Sequence, residues 1–134
     1  PTDTYFTLRT WLARQLQIGG TPLYFGGVAF KYRQEVPASR LGIVTCRAAE
    51  TVDVVTTSGE QTGTPPSVEK ILTMRAALGG NVPLAIASGI SAENVKDYLP
   101  YVDAFLVASS ISQKFDELDL DAVRRLADVI HAGA

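Results

Sequence analysis

The sequence predicts an α/β domain built from parallel βα repeats, half of a (β/α)8 barrel or an open sheet of the flavodoxin-like kind. Three observations carry the prediction. Apolar runs of strand length alternate with runs of helical period. The apolar runs are close to continuous, as in strands buried on both faces. Gly, Pro, Ser and Asp punctuate the junctions. Such alternation implies parallel pairing with right-handed crossovers.

The elements follow in order. Residues 4–17 place Phe6, Trp11, Leu12 and Leu16 near one helical face, and Gly19-Gly20 ends the segment. Residues 21–32, TPLYFGGVAFKY, read as a strand running to about Tyr32. A polar loop with Pro37 leads into a short helix over SRLGIVTCRAAET, where Cys46 is expected in the core. VDVVTT reads as a buried strand. SVEKILTMRAALGG follows as a helix opened by Ser67, whose oxygen can cap a free amide; Lys70 stands where a capping box would have Glu or Gln. VPLAIA is a strand, and SAENVKDYL a helix capped by Ser91 and stopped by Pro100. VDAFLVA is the next strand. ISQKF is expected to form one short turn, and the last helix runs through DLDAVRRLADVIHAGA with Asp119 as its cap and His131 in its last turn.

At 134 residues the chain holds one α/β domain over 1–134, with a leading helix in 1–20 and four βα units in 21–134. A closed (β/α)8 barrel needs eight strands and about 250 residues. Four units therefore leave three arrangements: part of a longer chain, a barrel completed by a second chain, or an open sheet. Val52-Asp53-Val54-Val55 and Val102-Asp103-Ala104-Phe105 are a weak internal echo, and both aspartates, at strand starts, are expected to be structural.

Composition excludes several functions. A net charge of −2 without a basic cluster argues against nucleic acid as a partner. No apolar stretch approaches the roughly 20 residues of a membrane span, and the N-terminal residues lack a signal-peptide pattern. One Cys and one His leave no zinc site, and the lone Cys fits a reducing, cytoplasmic compartment.

Three motifs resemble the C-terminal half of the BtpA-like family of TIM-barrel proteins. Thr57-Ser58-Gly59-Glu60-Gln61-Thr62-Gly63-Thr64-Pro65-Pro66 is similar to that family's T-G-x-x-T-G-x-P-P loop. Ser88-Gly89-Ile90-Ser91-Ala92-Glu93-Asn94-Val95 is similar to its S-G-V-T-P-E-N-V, and Asp103 to Ser110 to its D-G-x-I-V-G-S strand. The resemblance implies that the strands correspond to barrel strands five to eight, with the missing half supplied by a second chain or an N-terminal segment. Residues 1–20 carry none of it. Where the family has D-x-H-x-K-H, this chain has Gly27-Val28-Ala29-Phe30-Lys31-Tyr32, keeping only the lysine, and Ala108 replaces a glycine. The family, named for a photosystem I biogenesis factor, also suggests a non-catalytic assembly role.

In a barrel, ligands sit at the C-terminal ends of the strands. There, Thr57, Ser58, Gly59, Thr62 and Gly63 combine hydroxyl donors with glycines that allow close approach, a pattern suited to a small phosphorylated or anionic metabolite. The same residues also serve a plain βα turn. Ser88, Gly89 and Ser91 open a predicted helix whose amides favour anions, and Ser109 with Ser110 ends the next strand, so the two stretches form a candidate bipartite cradle. The competing reading makes these serines simple caps. Lys31 is a candidate counter-charge or Schiff-base amine, and Glu60 a candidate acid or base, each against the alternative of a solvated charge. No cofactor, substrate or reaction follows from the sequence.

Overall fold

The computed structural model describes residues 23–133 and the single position Gln17. The leading-helix face of Phe6, Trp11, Leu12 and Leu16 lies outside the described residues. The elements run β1 (Phe25–Gly27), α1 (Ala38–Ala49), β2 (Val54–Thr57), α2 (Val68–Leu78), β3 (Leu84–Ile86), β4 (Ala104–Phe105), β5 (Ser112–Lys114), β6 (Glu117–Leu118) and α3 (Leu120–Gly133), with 3₁₀ turns at Val95–Asp97 and Ser109–Ile111.

β1 to β4 form one parallel sheet in the order β1-β2-β3-β4. Each strand lies beside its predecessor, so right-handed crossovers carry every connection to the same face. The open flavodoxin-like alternative needs a point where strand order reverses, and these strands contain none. Winding in one direction is the geometry of a barrel wall.

One core joins the sheet to its helices. Val55 and Leu84 are register partners, Ile86 shares their face, and all three pack with Leu41 of α1, Ile71, Met74 and Leu78 of α2, and Leu126 of α3. In α2 the buried side chains recur at i, i+3 and i+7, the stripe that buries one helical face. Ser67 Oγ accepts from the Lys70 amide at 3.1 Å, and Gly79, with φ +60°, ends the helix. Asp119 Oδ1 caps α3 by accepting from the amides of Asp121 and Ala122, both at 3.0 Å. No helix among the described residues is long and apolar enough to cross a membrane.

The repeated Val-Asp opening has a repeated geometry. Asp53 Oδ2 accepts from the Tyr24 amide at 2.6 Å, and Asp103 Oδ2 accepts from the Leu84 amide at 2.9 Å. Each aspartate returns its own amide to the carbonyl of that same neighbour, at 3.0 Å and 2.9 Å. Both carboxylates thus fasten the start of one strand to the start of the one before. Arg75 pairs with Asp103 as well.

Four local expectations are corrected. The first strand ends at Gly27 rather than near Tyr32, because Ala29 (φ +47°) and Tyr32 (φ +60°) are left-handed, which a strand ladder does not accommodate. Residues 91–99 form turns around the 3₁₀ segment Val95–Asp97 instead of an α-helix. Pro100 closes that stretch, and so short a segment does not offset the initiation cost of an α-helix. ISQKF is not a short turn: it enters an antiparallel hairpin of β5 and β6, held by Ser112↔Leu118 pairing and a Lys114–Glu117 ion pair at 3.4 Å. Cys46 is exposed rather than buried, its Sγ donating to the Ala77 carbonyl at 3.2 Å.

Candidate functional site

The C-terminal ends of β1 to β4 bring four loops together: 28–32, 58–66, 87–91 and 106–110. They are joined chiefly by side-chain to backbone hydrogen bonds. Ser58 Oγ accepts from the Lys31 amide at 2.7 Å and donates to the Gly59 carbonyl at 2.8 Å. Ser88 Oγ accepts from the Gly59 amide at 2.9 Å and donates to the Thr64 carbonyl at 2.8 Å. Ser110 Oγ donates to the Ile90 carbonyl at 2.6 Å, tying the third loop to the fourth. Thr57 is fully buried, its Oγ1 donating to the Ala29 carbonyl at 3.4 Å. Loops that would otherwise leave buried amides and carbonyls unpaired are satisfied by one another.

Two glycines are required by this interlocking. A β-carbon at Gly59 would stand 2.1 Å from the Thr64 carbonyl oxygen, and one at Gly89 would stand 2.1 Å from Pro65 N. Gly89 also has φ +67°, a conformation that costs other residues about 1–2 kcal/mol. Gly63, at φ +81°, faces open space.

A cleft of about 400 Å³ lies over the third and fourth loops and is bordered on the far side by Lys31, Thr62 and Gly63. Of the residues singled out by sequence, Lys31, Thr62, Gly63, Ser88, Gly89, Ser91, Ser109 and Ser110 line it. Thr57, Ser58 and Gly59 do not; they are buried beneath the rim. Glu60 is solvent-exposed and outside the lining. The hydroxyls of Ser88 and Ser110 are already engaged in the loop braces. The Ser91 amide donates to Asn94 Oδ1 at 2.9 Å, and Asn94 Nδ2 donates to the Gly89 carbonyl at 2.8 Å. No α-helix begins there, so the amide cradle expected at residues 88–91 has neither the helix dipole nor a vacant Ser91 amide behind it. The Ser91 hydroxyl instead helps hold the exposed Glu93 carboxyl below its usual range.

Lys31 supplies the positive charge of the cleft, its Nζ lying 5.9 Å from the Phe30 ring centroid. Tyr32, next to it, donates its hydroxyl proton to Thr62 Oγ1 at 3.2 Å and accepts from the Thr62 amide at 3.2 Å. The Thr62 hydroxyl and amide, both able to donate to the phenolate, place the phenol below its ordinary pKa.

Sequence reasoning overlooked Lys70. Its Nζ donates to the carbonyls of Ala29 and Ser58, both at 2.7 Å, across the base of the first two loops. Burial pushes its pKa down, and the nearby Glu60 carboxylate opposes that shift. One sequence signal was available: a lysine in the first turn of a helix, where the dipole disfavours a cation.

A larger cleft, about 570 Å³, lies between β4 and α3 and is walled by apolar side chains including Phe105, Val107, Leu126 and Ile130. It is an opening at the sheet edge rather than a polar site. Among the described residues no group of three or more His, Cys, Asp or Glu is placed to hold a metal ion.

The model of the BtpA family, a family of TIM-barrel type, matches residues 36–132. That span includes the loops at 58–66, 88–91 and 106–110 and stops short of Lys31. No match is found among curated proteins.

Proposed function

The chain belongs to the BtpA family, and on that premise we propose that it binds a small phosphorylated or otherwise anionic metabolite at the C-terminal ends of its strands. One observation carries the reading: Lys31, from the β1 loop, faces the same cleft as Thr62, Gly63 and Ser109, which come from the loops after β2 and β4. A single ammonium flanked by hydroxyls and exposed glycine backbone suits a compact anion. Lys31 is the counter-charge. Glu60, exposed on the loop that carries Thr62 and Gly63, is the acid–base candidate for a reaction not yet assigned. The protein works in the cytoplasm on this reading, in keeping with its lone cysteine.

The test is thermal unfolding with inorganic phosphate and with simple sugar phosphates. Binding raises Tm in proportion to the logarithm of ligand concentration, and an unmoved Tm at millimolar concentrations of all of them refutes the proposal.

A second observation favours a completed barrel. β4 ends the sheet beside the apolar cleft under α3, the position in which a further parallel strand closes a singly wound wall. We infer that a second chain or an N-terminal half supplies that strand and walls the anion cleft from the opposite side. The alternative function, a non-catalytic assembly factor, draws on the same edge and on the engagement of most strand-end hydroxyls in the scaffold. A stable protein partner captured with no metabolite effect on Tm supports that alternative.

A further inference from the structure

Lys70 sits in an unfavourable place for a lysine. It is in the first turn of α2, where the helix dipole opposes a cation, and its side chain is half-buried rather than extended into water. Two carbonyls hold it there. Ala29 and Ser58 accept from its Nζ at 2.7 Å each, from segments 41 and 12 residues away in sequence. The first carbonyl belongs to a residue with φ +47°, in the left-handed turn that redirects the chain after β1. Two residues on is Lys31, whose amide donates to the hydroxyl of the same Ser58 that Lys70 holds by its carbonyl. One ammonium therefore clamps both sides of the joint from which Lys31 enters the cleft.

We propose that Lys70 is a positioning residue for the anion site: by clamping the carbonyls of Ala29 and Ser58 it holds the left-handed turn that presents Lys31 to the ligand. It lies outside the cleft lining and does not touch the anion. The assignment rests on the anion-binding reading above. A purely stabilising lysine would raise the melting temperature and leave the Lys31 contribution to binding unchanged, and that difference is measurable.

The experiment titrates inorganic phosphate calorimetrically into the wild type, Lys70→Met, Lys70→Arg, Lys31→Met and the double variant, and follows hydrogen exchange at the Lys31 amide. Lys70→Met is expected to weaken phosphate binding about tenfold and to speed exchange of that amide. Lys70→Arg, which keeps charge and donors, recovers part of both. Lys31→Met weakens binding at least as much, and adding Lys70→Met to it weakens binding no further, because the clamp acts through Lys31. Equal weakening by Lys70→Met with and without Lys31, or unchanged exchange at the Lys31 amide, overturns the assignment. If Lys70→Met does not fold, Lys70→Gln takes its place with the same expected outcomes. Phosphate that fails to bind the wild type removes the site reading and this one with it. Wild-type binding that Lys70→Met leaves intact removes only the role of Lys70.

Discussion

Alanine in place of three glycines separates the two reasons a strand-end loop needs glycine. At Gly63, φ is +81° and an added β-carbon meets nothing within 4 Å, so Gly63→Ala carries the backbone penalty alone. That is about 1–2 kcal/mol. At Gly59 the backbone is not left-handed, but the β-carbon would stand 2.1 Å from the Thr64 carbonyl oxygen and 2.8 Å from that of Pro65. Backbone atoms cannot rotate aside as a flexible side chain does, and overpacking of this kind costs about 1–3 kcal/mol. Gly89 combines both, with φ +67° and a β-carbon 2.1 Å from Pro65 N and 2.4 Å from Thr64 C. Summing the two contributions gives about 2–5 kcal/mol for Gly89→Ala. Urea unfolding, compared at constant m-value, measures all three. The expected order places Gly89→Ala as the most damaging and Gly63→Ala as the mildest. If Gly89→Ala is no worse than Gly63→Ala, the third loop is not wedged against Pro65, and the interlocked rim described above is wrong.

Two further outcomes follow from the same contacts. Ser88→Ala removes the acceptor of the buried Gly59 amide and the donor to the Thr64 carbonyl, and should lower unfolding free energy by about 1–3 kcal/mol; a change below the error of urea unfolding contradicts the bracing role. Lys70 has a pKa lowered by burial from 10.5 in the folded state, so the unfolded chain holds that proton more tightly. The burden of the charged lysine is then full below its folded pKa and is relieved as pH rises from there toward 10.5. The stability of the wild type relative to Lys70→Met should accordingly increase over that alkaline window, and a flat or falling difference in pH-dependent unfolding contradicts the buried clamp.

Much of the scaffold was legible because it depends on local pattern. Residues 54–57 and 84–86 are buried on both faces, so the apolar runs VDVV and VPLAIA announce strands without reference to their partners. Ser67 and Asp119 are capping residues placed before helical periods, and their oxygens accept the amides that position implies. The segment 28–32 was not legible. Phe30-Lys31-Tyr32 continues an apolar run and reads as strand, yet its turn is held by Ser58, Thr62 and Lys70, between 27 and 41 residues away. A hairpin at 112–118 escaped for a different reason: its pairing is local, but SQK and EL carry little strand propensity.

Burial and periodicity along the chain were therefore sufficient for the βα alternation, the helix caps and the placement of the Gly- and Ser-rich stretches at strand ends. They could not say which face each hydroxyl serves. Thr57, Ser58 and Ser88 read as ligand donors by composition, while the packed loops use them for the amides and carbonyls of neighbouring segments. A hydroxyl bonds whichever unpaired buried group the fold brings within reach, and that pairing is set by strand order and loop contact, not by residue type. The charge that faces the cleft is likewise a tertiary outcome: Lys31 and Lys70 are both lysines beside Gly- and Ser-rich segments, and only the turn at Ala29 makes one line the cleft and the other fasten it.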